Sequence, residues 1–374
     1  MRRFQTLVIA ALSVATYTLS AQKYPIYDYD EPHLDTKPNK KEWREIPRGL
    51  QLSWASRDVH YVLHDVPDVE PRKCATIYAW RGERANVQAV MYSKHDEGEL
   101  HVRMTEWQRE DSPTGIRSAE ARFVNYVITD DYKACGDHPK DLAPWLVPDV
   151  IDIDKPHNVK AMECRPVWCS VEVPRDADAG EYVSYLQVVN AKDRVVDSLE
   201  LRIVVLNRTL PEVSAQKFHL DLWQQPYSVS RYHGAQRWSA EHIEALRPYL
   251  EALGRAGQSV VSTILFYEPW GAQTHEPDRF DPMVETIRAK DGTWKYDYTL
   301  FDKYVELCAE CGISKQINCF SMVPWDMNFR FYDEASRCYM MLHTTTATAE
   351  YYDLWHSFLT SFKAHLVEKG WFSK

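Results

Sequence analysis

The run Leu199-Glu200-Leu201-Arg202-Ile203-Val204-Val205-Leu206, followed after a short connection by Phe218-His219-Leu220-Asp221-Leu222-Trp223, marks where this chain changes character. The first run alternates apolar and polar residues with a period of two, the pattern of a strand with one buried face. Toward the amino terminus the same grammar recurs at 59–63, 75–80, 99–104 and 182–189. Asp178-Ala179-Gly180 and Asn190-Ala191-Lys192-Asp193 supply turns between such runs. No strong helical period interrupts residues 45–210. Residues 22–212 are therefore expected to fold as an antiparallel β-sandwich.

From about 214 onward, strands alternate with helices. Residues 218–223 read as a strand. Ser239 caps a helix carrying Ile243, Leu246, Leu250 and Leu253, with Pro248 inside it and Gly257 closing it. A second strand is expected at 260–267. Asp297 then caps a helix with Phe301, Tyr304, Val305 and Cys308, stopped by Gly312. A third strand is expected at 313–322, and a third helix carries Tyr351, Leu354, Trp355, Phe358, Phe362 and Leu366. Three βα units imply a parallel sheet. The long segments 268–296 and 323–348 read as loops after the carboxyl ends of strands two and three, where βα enzymes build their sites. A (β/α)8 barrel needs at least about 200 residues, and about 160 follow residue 212. Residues 213–374 are accordingly expected to be either the first part of a TIM barrel, in a truncated chain, or a small open sheet.

Hydrophobic residues make up 45% and charged residues 26% of the 374. These are values of a globular chain, not of a disordered, collagenous or polytopic membrane protein. A net charge of −10 without a basic run argues against nucleic acid or an anionic membrane as partner. The 13 Trp and 22 Tyr would suit flat, hydroxyl-rich ligands such as sugars wherever they are exposed. Residues 1–21 read as a secretory signal peptide: Arg2 and Arg3, an apolar run at 7–14, then small residues before Gln22. That run is too short to span a bilayer. Export to a periplasm or the exterior is expected, without membrane insertion.

In an exported chain cysteines can pair. Cys164 and Cys169, in what reads as an exposed loop, are the best disulfide candidates. Cys308 and Cys311 have CxxC spacing but lie on the apolar side of a helix, so they read as buried thiols rather than a zinc half-site. No metal and no cofactor are expected. The chain has no phosphate loop, no G-x-G-x-x-G and no G-x-S-x-G.

Chemistry is expected on the barrel side. Alternation along the first strand sets His219, Asp221 and Trp223 against Leu220 and Leu222, aiming the former inward. Gln316 and Asn318 share a face of the third strand, and Trp325 follows its carboxyl end. Polar groups for vicinal hydroxyls and indoles for C–H faces are what a pyranose needs. Each has a plainer reading as a structural network or a loop anchor. Trp270 is a further indole candidate. Glu268 is a candidate acid–base, although a Glu before Pro in a loop is more often solvated.

These same residues carry a resemblance. His219-Leu220-Asp221-Leu222-Trp223-Gln224-Gln225-Pro226, Asp291-Gly292-Thr293-Trp294 with Tyr298-Thr299-Leu300-Phe301-Asp302, and Gln316-Ile317-Asn318-Cys319-Phe320-Ser321-Met322-Val323-Pro324-Trp325 resemble barrel segments of glycoside hydrolase family 123. Arg81-Gly82-Glu83-Arg84, Gly180-Glu181-Tyr182 and Leu210-Pro211 resemble its N-terminal domain. The resemblance covers roughly residues 45–374. It implies a retaining, substrate-assisted β-N-acetylgalactosaminidase acting on glycans with terminal N-acetylgalactosamine. In such enzymes the substrate's acetamido carbonyl attacks the anomeric carbon; an Asp steadies the oxazolinium and the adjacent Glu protonates the leaving oxygen. The resemblance places that pair on a fourth strand, just after a segment like 365–372 and hence beyond Lys374. No catalytic residue is therefore assigned, and Asp333-Glu334, in a loop, is not given the role. The alternative is a non-catalytic carbohydrate-binding protein or a decayed remnant.

Overall fold

The computed structural model describes residues 29–109, 115–116, 118–128, 144–269, 280–320 and 322–374. The expected signal peptide, Cys135 and Trp270 lie outside the described residues. A short helix α1 (Lys40–Glu45) precedes ten strands. They are β1 (Gln51–Ala55), β2 (Cys74–Arg81), β3 (Arg84–Ser93), β4 (Gly98–Met104), β5 (Ser118–Ile128), β6 (Leu146–Ile151), β7 (His157–Val159), β8 (Glu163–Glu172), β9 (Gly180–Asn190) and β10 (Val195–Thr209).

These strands form two five-stranded sheets, β1-β3-β8-β5-β6 and β2-β10-β9-β4-β7. Among them β2 and β10 pair in parallel and the other pairs are antiparallel. One core joins both sheets: Leu52, Met91, Phe123 and Val167 from the first meet Leu186, Val188, Leu201 and Ile203 from the second. Strand β10 shows why. Leu199, Leu201, Ile203 and Val205 are buried, while Glu200 and Arg202 between them pair on the outer face. An alternating sequence can bury only one face, so it needs a second sheet.

Cys164 and Cys169 lie in β8, not in a loop, and both are buried free thiols. Five residues apart on a strand, they point to opposite faces. Cys164 joins Trp43, Tyr61 and Val90, whereas Cys169 joins the main core. No disulfide can link them. Arg165 and Pro166 disguise this strand in the sequence. Pro166 sits just beyond Val167, where the pairing of β8 with β5 ends, so its missing N–H costs no bond on that side. Arg165 is buried against Glu31 at 2.7 Å and over the Tyr126 ring at 5.2 Å.

The second half comprises α2 (Pro226–His233), α3 (Ala240–Ala256), β11 (Val260–Ile264), β12 (Glu285–Arg288), β13 (Trp294–Asp297), α4 (Thr299–Glu310), β14 (Gln316–Phe320), β15 (Asn328–Asp333), β16 (Cys338–His343) and α5 (Ala349–Glu368). The caps fall where side-chain chemistry demands. Ser239 accepts from the His242 N–H, Asp297 from Thr299 and Thr348 from Tyr351. Gly257 closes α3 with φ +94°. Strands β11 and β14 pair in parallel. Their helix-side residues Val261 and Ile317 join a core of Leu246, Phe266, Phe301, Phe329, Phe358 and Phe362. Cys308 and Cys311 are buried free thiols there, and burial pushes Cys308 up to about 12.

Two expectations are corrected. The segments 268–296 and 323–348 are not simply loops. Their hairpins β12–β13 and β15–β16 unite into a four-stranded sheet, β13-β12-β15-β16. The expected first strand, 218–223, is reduced to a single bridge between Leu220 and Gln258.

Candidate carbohydrate site at the carboxyl edge

Side chains replace the missing strand ladder. Gln224 Oε1 accepts the Ser262 N–H at 2.7 Å, and its Nε2 donates to the Val260 carbonyl at 3.2 Å. Gln258 Oε1 accepts the Leu222 N–H at 2.8 Å and its Nε2 donates to the Leu222 carbonyl at 3.1 Å. A primary amide carries the same donor and acceptor as a peptide unit, so each glutamine stands in for a residue of backbone. This joint holds 218–225 along β11.

The six sequence candidates fall into two groups. His219 precedes the Leu220 bridge and is exposed, at the amino end of β11. Gln316 opens β14 and is exposed at that same end. Trp223 and Trp325 are at the other end, 69% and 62% exposed. The Trp223 ring meets Phe320, the last residue of β14, at 4.2 Å. The Trp325 N–H donates to the carbonyl of Pro269, just past β11, at 2.9 Å. From Gln316 to Phe320 the strand rises roughly 13 Å. His219 and Gln316 are thus not brought to the indoles.

Between the two groups lie Asp221 and Asn318. Val261 and Ile317 face the helices, so alternation turns Ser262 and Asn318, register partners, to the opposite face. Asp221 Oδ1 and Ser262 Oγ are buried with no hydrogen-bond partner among the described residues. Unpartnered buried oxygens are costly unless a ligand or water serves them. Ser262 is the residue that sequence reading missed. Its signal was weak, a lone Ser in an apolar strand.

Glu268 is not solvated. It is buried at φ +46° and exchanges bonds with Phe280: its Oε1 accepts the Phe280 N–H at 2.6 Å, and its own N–H donates to the Phe280 carbonyl at 3.0 Å. That carboxylate is occupied as a loop brace. Asp333 accepts the Ser336 N–H at 2.8 Å within the β15–β16 turn, and Glu334 pairs with Lys295 of β13 at 3.4 Å. Among the described residues no group of three or more His, Cys, Asp or Glu could hold a metal ion, and no helix is long and apolar enough to cross a membrane.

Comparison with known proteins agrees with this architecture. The profile described as glycoside hydrolase 123, catalytic domain, matches residues 223–374, and that of the glycoside hydrolase 123 N-terminal domain matches 54–190. Among solved structures, a family 123 glycoside hydrolase from Clostridium perfringens, studied for glycolipid glycan hydrolysis, superposes with a TM-score of 0.76 at 23% identity. The match covers 87% of this chain and 57% of that one. The N-terminal domain of PorA matches 43% of this chain and 99% of its own at 9% identity, but its TM-score of 0.23 carries no argument. No curated protein matches in sequence. With both domain profiles in chain order and this fold, the chain belongs to glycoside hydrolase family 123.

Proposed function

We propose that this chain belongs to an exported, retaining β-N-acetylgalactosaminidase that works by substrate assistance. On this reading a β-sandwich, ending near residue 212, leads into the first βα units of a TIM barrel. The observation that carries it is the carboxyl edge. Two exposed indoles, Trp223 and Trp325, stand at the carboxyl end of segments that also carry polar groups with unused hydrogen-bonding capacity, Asp221 Oδ1 and Ser262 Oγ, with Asn318 the register partner of Ser262. An indole face accepts the C–H face of a pyranose, and a carboxylate with an amide suits adjacent hydroxyls. His219 and Gln316 lie exposed at the far end. The acetamido carbonyl of the sugar would attack its own anomeric carbon. The Asp-Glu pair that steadies the oxazolinium and protonates the leaving oxygen would belong to a fourth barrel strand.

A second reading is a non-catalytic glycan binder. It is favoured by the exposed indoles Trp223 and Trp325, which would serve a binder equally well. One experiment addresses both. The purified 374-residue chain should bind N-acetylgalactosamine yet leave an aryl β-N-acetylgalactosaminide intact. Turnover that survives Glu268→Gln and Asp333→Asn/Glu334→Gln controls would place a working acid elsewhere in the chain. Failure to bind the sugar, in a chain that remains folded, would remove the site.

A further inference from the structure

The four-stranded sheet carries a charged cluster of its own. In β15, Phe329 and Phe331 face the core, which turns Arg330 to the other side. Its guanidinium lies over two rings, 4.0 Å from the centre of Tyr267 and 4.8 Å from that of Tyr339. Such contacts position the guanidinium without using its N–H donors. Its one carboxylate contact within 4 Å among the described residues is Asp281 Oδ1 at 3.7 Å, too long for a hydrogen bond. The other oxygen of Asp281 is taken by Arg237 at 2.5 Å.

Two carboxylates, Asp281 and Glu285, lie near Arg330, and neither makes a hydrogen bond with it among the described residues. Asp281 serves Arg237 first. Glu285 lies on the neighbouring strand; continuing the Ile287–Tyr332 register sets it opposite Arg330. It makes no ion pair with Arg330 within 4 Å among the described residues; burial raises its pKa, and the nearby Arg330 charge opposes that rise. The Arg330 side chain is still 22% exposed. Tyr267 precedes Pro269 by two residues, and Pro269 holds the Trp325 N–H. The cluster thus borders the indole edge.

We infer that Arg330 is a specificity-determining residue that receives an acidic substituent of the glycan, a sulfate ester or a carboxylate, beside the sugar seated at Trp325. A planar guanidinium whose donors make no hydrogen bond among the described residues fits two oxygens of such a group in a bidentate pair. This inference rests on the N-acetylgalactosamine reading above.

The test is calorimetric titration of the full chain with N-acetylgalactosamine, its sulfate monoesters, and a disaccharide joining it to a uronic acid. At least one acidic sugar should bind about tenfold tighter than the neutral one, the worth of a charge-assisted pair. Which acidic sugar gains identifies sulfate or carboxylate as the source. The gain should shrink in high salt and vanish in Arg330→Gln, with neutral-sugar binding and melting temperature kept. If the acidic sugars bind no tighter than the neutral one, Arg330 has no such role, and that comparison needs no variant. A preference that survives in Arg330→Gln also overturns it. If none of the sugars binds, this inference and the N-acetylgalactosamine reading fall together.

Discussion

The two halves reach a packed interior by different routes. In the first, ten strands supply two sheets, and the core between them is mostly aliphatic, with Val167, Leu186, Val188, Leu199, Leu201 and Ile203 at or near zero exposure. In the second, β11 and β14 form a sheet of only two strands, and aromatic rings fill the space under the helices. Phe266 alone touches Phe329, Trp355 and Phe358. Period-two sequence makes layers that cover each other. The βα half leaves Trp223, Val323, Trp325, Leu359, Val367 and Phe372 exposed.

The largest effect should come from separating the halves. Residues 22–212 should be soluble and unfold cooperatively alone, whereas 213–374 should aggregate. A monomeric, protease-resistant 213–374 would break the contrast and favour a small open sheet that is complete in itself.

A smaller effect sharpens it within the second half. A Cβ on Gly254 in α3 would lie 2.0 Å from the Cys311 carbonyl oxygen. Gly→Ala inside a helix ordinarily stabilises by about 1 kcal/mol; here overlap with fixed backbone should reverse the sign, at about 1–3 kcal/mol. Chemical denaturation of Gly254→Ala should show an earlier transition for the helical half and an unchanged one for the sheets.

The smallest effect belongs to the first half. Burial holds the His157 ring below its ordinary 6.5, although Asp152 at 2.6 Å pulls it upward. Burial pushes Asp152 up, but bonds from His157, the Ile153 N–H and Lys155 outweigh it and leave its pKa lowered. In both groups the folded state binds fewer protons than the unfolded one, so stability rises with pH. It should begin to fall as pH drops below 6.5 and fall again below 3.8. Melting curves of 22–212 across that range should show the first loss, roughly 2–4 °C for each 1 kcal/mol, and His157→Gln should flatten it.

Legibility followed the same divide. Strands β9 and β10 alternate cleanly and could be read directly, as could α3 and α5 from Ser239, Gly257 and Thr348. Strand β8 could not, because Arg165 is buried by pairing with Glu31, a partner far away in sequence. The four-stranded sheet left signals that were passed over. Asp291-Gly292 is a hairpin turn, and Asn328-Phe329-Arg330-Phe331 alternates. Strand β16, Cys338-Tyr339-Met340-Met341-Leu342, carries no alternation at all. Of the site, the indoles were legible as residues without an obvious core role. His219 and Gln316 were grouped with them because alternation gives a face but not a height along the strand.

The glutamine joint has a consequence for how this molecule could be adjusted. Backbone ladders persist through almost any substitution, since every residue but proline brings its own N–H and carbonyl. The seam between 218–225 and β11 is different: its bonds are written into Gln224 and Gln258. A single atom exchange in either, amide nitrogen for oxygen, would set a negative oxygen against a carbonyl and unfasten Trp223 from the edge it helps form. The backbone ladder between β11 and β14 would keep its own register. The Trp223 rim can thus be loosened or tightened independently of the sheet beneath it, by chemistry at two positions.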